Sequence, residues 1–299
     1  MNPVSTVFGA GVAVRNALYD RRIFKVDRLA RPVVSVGNIS VGGTGKTPFV
    51  IALGELLKAR GIAFDILSRG YRRSSTAIAV VDPKGSPAEF GDEPLLLARK
   101  LQVPVIVGAD RYQAGLFAEQ KFPSKLHLLD DGFQHRRLHR DFDIVLLPEA
   151  DYRGTLLPIG RLREPIGSLR RADAVVLLEA LAQPPIAARI WHAYKQLDYS
   201  NPASKLIAFC GIGRPKQFLD SLNAAGQKIV GHIAFRDHHS YVQSDIARLL
   251  ALKKHTGADG FITTEKDAIN LGGLATQLDP LHIAQLHMEL NPRSMCWRG

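Results

Sequence analysis

Cysteine is nearly absent: the 299-residue chain has two, Cys210 and Cys296. Two are too few for a disulfide framework or a cysteine-built metal site, and they fit a reducing compartment. Aromatic residues make up only 7% of the chain, and no alternation of basic and aromatic residues suggests a platform for stacked bases. No apolar run reaches the roughly 18 residues that a membrane-spanning helix needs. Internal repeats and low-complexity tracts are also missing. No positive segment precedes the apolar part of the N-terminus, which argues against a secretory signal. The remaining composition is that of an ordinary globular protein, 46% hydrophobic and 22% charged. The length suits two domains or one large α/β domain. A net charge of +11, from 39 basic and 28 acidic residues, favours an anionic partner. Charge alone does not separate nucleic acid, acidic lipid and phosphorylated substrate.

Against this background one stretch stands out: "ISVGGTGKTP", Ile39 to Pro48. Gly42, Gly43, Thr44, Gly45, Lys46 and Thr47 fall in six consecutive positions. The preceding "PVVSVGNI" is β-branched and apolar, as a buried strand should be. The following "TPFVIALGELLKARG" spaces Val50, Ile51, Leu53, Leu56 and Leu57 close to helical periodicity, with Gly61 placed to end the helix. Strand, glycine loop and helix form the context of a phosphate-binding P-loop. Backbone N–H groups and the helix N-terminus would face a phosphate chain. Lys46, expected to be exposed in the loop, would reach the β- and γ-phosphates, and the Thr47 hydroxyl would bind Mg2+. The usual pattern has a glycine five residues before Gly45, where this chain has Ser40. A glycine-rich turn of no function is the alternative.

Strand candidates recur at 32–39, 63–68, 78–81, 103–107, 126–129, 143–147 and 174–178, with helical patterns between several of them. This alternation predicts an α/β fold with a mostly parallel, P-loop NTPase-like sheet. "EALAQPPIAARIWHAYKQLDYSNPAS" interrupts the pattern. Strands near 204–211, 229–235 and 260–264 then alternate with helices near 215–225 and 244–256. The expected organisation is a P-loop domain over 1–198 and a smaller α/β domain over 199–299.

Other segments carry chemistry with the bland reading still open. "LHLLDDGFQH" ends a strand with Asp130 and Asp131, which fit a Mg2+ site beside a P-loop or a simple turn. Asp92 in "FGDEP" is a plausible helix N-cap. In "GRLREP", Arg161 and Arg163 could pair with phosphates and Glu164 with metal, or all three could sit in a solvated charged loop. In "FRDHHSY", Asp237, His238 and His239 could orient a catalytic group or bind metal, or form a turn with a helix cap. In "TTEKDAINL", Glu265 and Asp267 are expected to cap a short helix. Residues 3–24 read as a helix with Val4, Val7, Phe8, Val12, Leu18, Tyr19 and Ile23 near one face and basic residues after it. Such a helix lies on an anionic membrane or packs on the protein's own core.

Taken together and in this order, "SVGNISVGGTGKTP", "LSRGY", "GDEP", "DDGFQH", "LPIGRLREP", "FRDHHSY" and "TTEKDA" resemble the tetraacyldisaccharide 4'-kinase (lipid A 4'-kinase) family, over essentially the whole chain. Ser40 matches that family's variant P-loop, whereas the ending "MELNPRSMCWRG" looks atypical for it. The resemblance implies a peripheral enzyme on the cytoplasmic face of an inner membrane. It would transfer the γ-phosphoryl group of ATP, with Mg2+, to the 4'-hydroxyl of a membrane-embedded acylated glucosamine disaccharide 1-phosphate. It implies Asp92 as catalytic base with His238 as its partner, Asp130 and Asp131 near the Mg-nucleotide, and Arg163 and Glu164 as active-site positions. It also favours an anionic membrane surface as a contact, and no nucleic acid partner. The alternatives are a P-loop ATPase or GTPase switch acting on a protein, and a nucleic-acid-stimulated ATPase. No N-K-x-D motif for reading a guanine base is present.

Overall fold

Runs of apolar, β-branched residues with no polar alternation are the mark of strands covered on both faces. In the computed structural model, which describes residues 3–178, 189–199 and 205–290, such runs build the centre of the sheet. They are Val33–Asn38 (β1), Phe64–Ser68 (β2), Val105–Val107 (β4), Leu126–Asp130 (β5), Phe142–Leu147 (β6) and Ala174–Leu177 (β7). Ala79–Val80 (β3) is a short edge strand. Arg189–Asp198 (β8), Lys205–Cys210 (β9), Lys228–Ala234 (β10), Gly260–Thr264 (β11) and Leu281–Leu290 (β12) complete it. The helices are Pro3–Asp20 (α1), Lys46–Ala59 (α2), Pro87–Phe90 (α3), Asp92–Leu101 (α4), Arg111–Lys121 (α5), Glu149–Tyr152 (α6), Pro215–Ala224 (α7), Gln243–Thr256 (α8) and Glu265–Leu271 (α9).

The twelve strands among the described residues belong to one sheet, ordered β10-β9-β11-β12-β8-β7-β6-β1-β5-β2-β4-β3. Two parallel blocks meet at a single antiparallel seam, where β12 pairs with β8 from Gln285 opposite Asp198 to Leu290 opposite Ala193. Among the described strands the only other antiparallel pair is β3 with β4. The fold is therefore the expected α/β type with a mostly parallel sheet. Its main core gathers β1, β2 and β5–β7 with the inner faces of α2 and α4, and it also takes in Ile269 and Met288. Two further clusters use only residues from β9 onward, apart from Leu197 and Tyr199 at their margin.

Several expectations change. The stretch expected to interrupt the sheet contributes β8, whose side chains alternate between buried and exposed. Residues 179–188 and 200–204 of that stretch lie outside the described residues, as does Cys296 with the rest of the chain after Leu290. The N-terminal helix stops at Asp20 rather than near residue 24. Arg22 takes a left-handed backbone (φ 58°) there, and the N–H of Ile23 turns back to the Leu18 carbonyl. The helix is not absorbed into the core: Asn16 is its only buried residue, while Val4, Val7 and Val14 are exposed.

Candidate functional site

The glycine loop leaves β1 in the middle of the first parallel block, where the chain order changes direction between β5 and β6. Ligands of open α/β sheets collect at such points, outside the carboxyl ends of the strands. Gly45 is the N-cap of α2 and has φ 91°, a conformation that a side chain would strain. Asn38, at the end of β1, stiffens the loop from below by donating through Nδ2 to Thr44 Oγ1 at 3.0 Å. Gln134 donates to the Asn38 carbonyl at 2.8 Å. Above the loop is a cavity of about 680 Å3, lined by residues 42–48 together with Asp92, Glu93, Asp130, Asp131, Arg163, His238 and Lys266, among others.

Lys46 opens α2 and is not the exposed loop residue expected: its side chain is 13% exposed, and Nζ lies 3.3 Å from Asp131 Oδ1. The other Asp131 oxygen accepts from Arg163 Nη1 at 3.0 Å. Burial alone would raise the Asp131 carboxyl. The Lys46 and Arg163 charges outweigh it and hold the carboxyl down at about 2. Asp130 goes the other way. Burial, with Glu93 and Asp131 nearby, pushes it up to about 7 against the pull of Lys46. Its Oδ2 accepts from Ser68 Oγ at 3.1 Å, and its Oδ1 is buried with no hydrogen-bond partner. A buried, unpartnered carboxylate oxygen is costly unless something positive comes to it.

Asp92 and His238 meet. His238 Nδ1 lies 2.8 Å from Asp92 Oδ2 and 2.9 Å from Oδ1. Asn270 Nδ2 donates to the same carboxylate at 3.1 Å. Burial would raise the Asp92 carboxyl, but the hydrogen bond from His238 and the charge of Lys266 hold it well below the usual carboxylate range. With Asp92 ionised, His238 Nδ1 carries the shared proton. The N-cap of α4 is Gly91, and Asp92 is the first helical residue, so the simple capping role does not describe it. Both Asp131 and His238 sit in left-handed backbone conformations, φ 52° and 56°. Non-glycine residues held in such strain cluster at functional sites. Arg72 pins the His238 turn by donating to the carbonyls of Asp237 and His238 at 2.8 and 3.0 Å.

Glu164 does not share the cavity. It is fully buried and faces α1 instead, where its carboxylate accepts from Asn16 at 2.9 Å and from Arg171 Nη2 at 2.5 Å. Gln134 donates to its other oxygen at 3.3 Å. Both oxygens are engaged, so the expectation that it binds metal is withdrawn. His239 is also elsewhere, bonded to Asp245 at 2.8 Å and stacked on Phe235. Glu93, Lys266 and Asn270 were not singled out for chemistry in the sequence. Lys266 Nζ bonds Glu93 Oε1 at 2.8 Å, and burial of the lysine is outweighed by Glu93 and Asp92, which keep its pKa above the usual lysine value. These residues fall in "GDEP" and "TTEKDAIN", and only the fold shows that α9 lies beside the start of α4.

Comparison with known proteins adds the following. A family model described as tetraacyldisaccharide-1-P 4'-kinase matches residues 1–296. A tetraacyldisaccharide 4'-kinase from Koribacter versatilis is 51% identical, the match covering 97% of this chain and 94% of that one. Another, from Geobacter metallireducens, is 38% identical over 96% of this chain and 92% of its own. Among solved structures, the "apo" form of LpxK from Aquifex aeolicus in complex with ATP superposes with a TM-score of 0.79 at 36% identity, covering 97% of this chain and 93% of its own.

Proposed function

The chain belongs to the tetraacyldisaccharide-1-P 4'-kinase family, and from that premise we infer the chemistry of the cavity. The enzyme transfers the γ-phosphoryl group of ATP to the 4'-hydroxyl of tetraacyldisaccharide 1-phosphate in lipid A biosynthesis. A P-loop switch acting on a protein or nucleic acid is not favoured. One observation carries the catalytic assignment: a P-loop lysine and a carboxylate–histidine pair line the same cavity.

Phosphoryl transfer asks the protein for positioning and charge neutralisation more than for covalent chemistry. In this reading the amides of residues 42–47 and the N-terminus of α2 receive the phosphate chain, and Lys46 neutralises charge on its outer end. Arg163, held by Asp131, is placed to contact the transferred group or the acceptor. Asp92 accepts the hydrogen bond of the sugar hydroxyl. Its depressed pKa makes it a weak base, which suits orienting the hydroxyl and taking its proton late, when the new bond has made that proton acidic. His238 holds Asp92 in the productive orientation, and Asn270 and Lys266 support it from α9.

We assign Mg2+ to Asp130 with Thr47, and with Asp131 in reserve. The buried, unpartnered Oδ1 of Asp130 is the observation that fits it. Among the described residues no group of three or more His, Cys, Asp or Glu side chains could hold a metal alone. That suits an ion which keeps waters and takes phosphate oxygens as ligands. When bound, Mg2+ supplies charge neutralisation to the phosphates.

We also propose that α1 meets the cytoplasmic face of an inner membrane. No helix among the described residues is long and apolar enough to cross a bilayer. Exposed Val4, Val7 and Val14, with Ile23 and Phe24 and the basic residues beyond Asp20, form a face that can enter the headgroup region. The division into two α/β units is placed near residue 198, at the end of β8, and nucleic acid is not among the proposed partners. Incubation with radiolabelled ATP, Mg2+ and tetraacyldisaccharide 1-phosphate in mixed micelles tests the function. The expected product is a lipid carrying the label as a second phosphate; label released only as inorganic phosphate would refute it.

A further inference from the structure

Ser40 occupies the position where a P-loop usually has glycine, and its hydroxyl is fully buried. Ser40 Oγ donates to Asp151 Oδ2 at 2.5 Å. Asp151, on α6, is itself buried and accepts from Arg214 Nη2 through both oxygens, at 2.6 and 2.8 Å. Arg214 follows β9 and precedes α7, and its side chain is 9% exposed. Three separate segments therefore converge on one buried carboxylate. A second cross-link lies beside the first. Arg161 Nη2 donates to the Val41 carbonyl at 2.9 Å and to the Gly213 carbonyl at 3.2 Å.

The contact reaches the glycine loop itself. A β-carbon on residue 213 would lie 2.6 Å from the Gly43 nitrogen and 2.8 Å from the Gly42 α-carbon, so only glycine permits this approach. Arg214 also lines the cavity that contains the P-loop. The loop's amides bind phosphate only while the loop keeps its shape. A buried ion pair is sensitive in one particular way: losing either partner leaves a charge without compensation.

We propose that Ser40, Asp151 and Arg214 form a latch that holds the loop after β9 against the P-loop and sets how tightly the chain holds a nucleoside triphosphate. The three are positioning residues, and the proposal rests on the reading of the cavity as a nucleotide site. The serine is then more than a tolerated variant of glycine: its hydroxyl ties the P-loop to a carboxylate that a distant segment also grips.

The test is calorimetric titration of ATP with Mg2+ into the full chain and into Asp151→Asn, Arg214→Gln and the double variant, with KM for the lipid acceptor and melting temperature measured alongside. Each single variant is expected to weaken ATP binding by roughly tenfold or more, the scale of a coupling between sites. The lipid KM should move less than about twofold, and the double variant should be no worse than the worse single, because the residues act as one unit. Arg214→Lys, which keeps the charge, should recover part of the affinity, and Ser40→Ala should show a smaller loss of the same kind. These last two variants carry the test if Asp151→Asn does not fold. Unchanged ATP affinity in folded variants, or equal shifts in the ATP and lipid constants, would overturn the latch alone. Failure of the unaltered chain to bind ATP would overturn the nucleotide reading and the latch with it.

Discussion

Lys46 meets Asp131, and Asp131 meets Arg163, inside one parallel block of the sheet: Lys46 opens α2, Asp131 follows β5, and the Arg163 N–H donates to the Ile39 carbonyl just beyond β1. Asp92 meets His238 across 146 residues of chain, from the first parallel block to the second. The proposed phosphate cradle is set by the ends of neighbouring strands and by two loops, so its geometry follows once β1, α2, β5 and the segment carrying Arg163 are in place. The pair forms only when the turn after β10 is brought over α4, and it depends on Arg72 and Asn270 as well as on its own two residues. Sheet registry determines the first region; the packing of one block against the other determines the second.

The largest effect should come from the cradle. Lys46→Ala is expected to lower kcat by about 10³, the upper end for a group that stabilises transferring charge. Asp131 keeps Arg163 as partner, so the melting temperature should change little. Near-normal turnover in a steady-state assay would sink the phosphate-site assignment.

The pair should lose less per residue and lose it together. Asp92→Ala and His238→Ala are each expected to cost about 10² in kcat, with ATP affinity retained. The double variant should be little worse than the worse single. Fully additive losses in a double-mutant cycle with saturating ATP and lipid would show that the two residues act separately. Normal activity in His238→Ala would reduce that segment to a turn.

A pH series sharpens the contrast between Asp130 and Asp131. A carboxyl raised to about 7 is largely protonated below that pH and ionised above it. A cation competes with that proton. The Mg2+ concentration for half-maximal activity should therefore rise roughly fivefold from pH 7 to pH 6, and level off above pH 8. Asp131, held at about 2, is already ionised throughout and contributes no such slope. A flat Mg2+ requirement across this range would exclude Asp130 as the ligand.

The smallest effect belongs to neither region. Val7→Ser with Val14→Ser changes two residues that are 73% and 61% exposed, so folding should be unaffected. The KM for lipid in vesicles should rise several-fold while that for ATP stays constant. Unchanged vesicle pelleting would remove α1 from the membrane. Substitution is a cleaner test than deleting residues 1–22, because deletion also removes Asn16 from Glu164.

The same contrast explains what could be read from sequence. The P-loop and the central strands were legible because their local composition has few other uses: glycines before a lysine, and unbroken β-branched runs. β8 and β12 were missed because each has a half-exposed, polar-rich pattern beside sequence that reads as loop. Glu164 was misread for a different reason. Its neighbour Arg163 does face the cavity, but adjacent residues point to opposite sides, and only the position of α1 shows that a buried partner set awaits the glutamate. Lys266 and Asn270 lie on a short helix whose placement beside Asp92 has no local signal at all.

The antiparallel seam also bears on the order in which the protein is made. Among the described residues, every sheet hydrogen bond between the two parallel blocks passes through β12, residues 281–290, which leave the ribosome after the other described strands. β12 also touches the phosphate loop, since a β-carbon on Gly45 would lie 2.7 Å from the Met288 methyl. During synthesis the nucleotide loop is thus complete long before the strand that joins His238's half of the sheet to it. On the function proposed above, a nascent chain has the parts for holding ATP early and gains the bracing for transfer only as translation reaches β12.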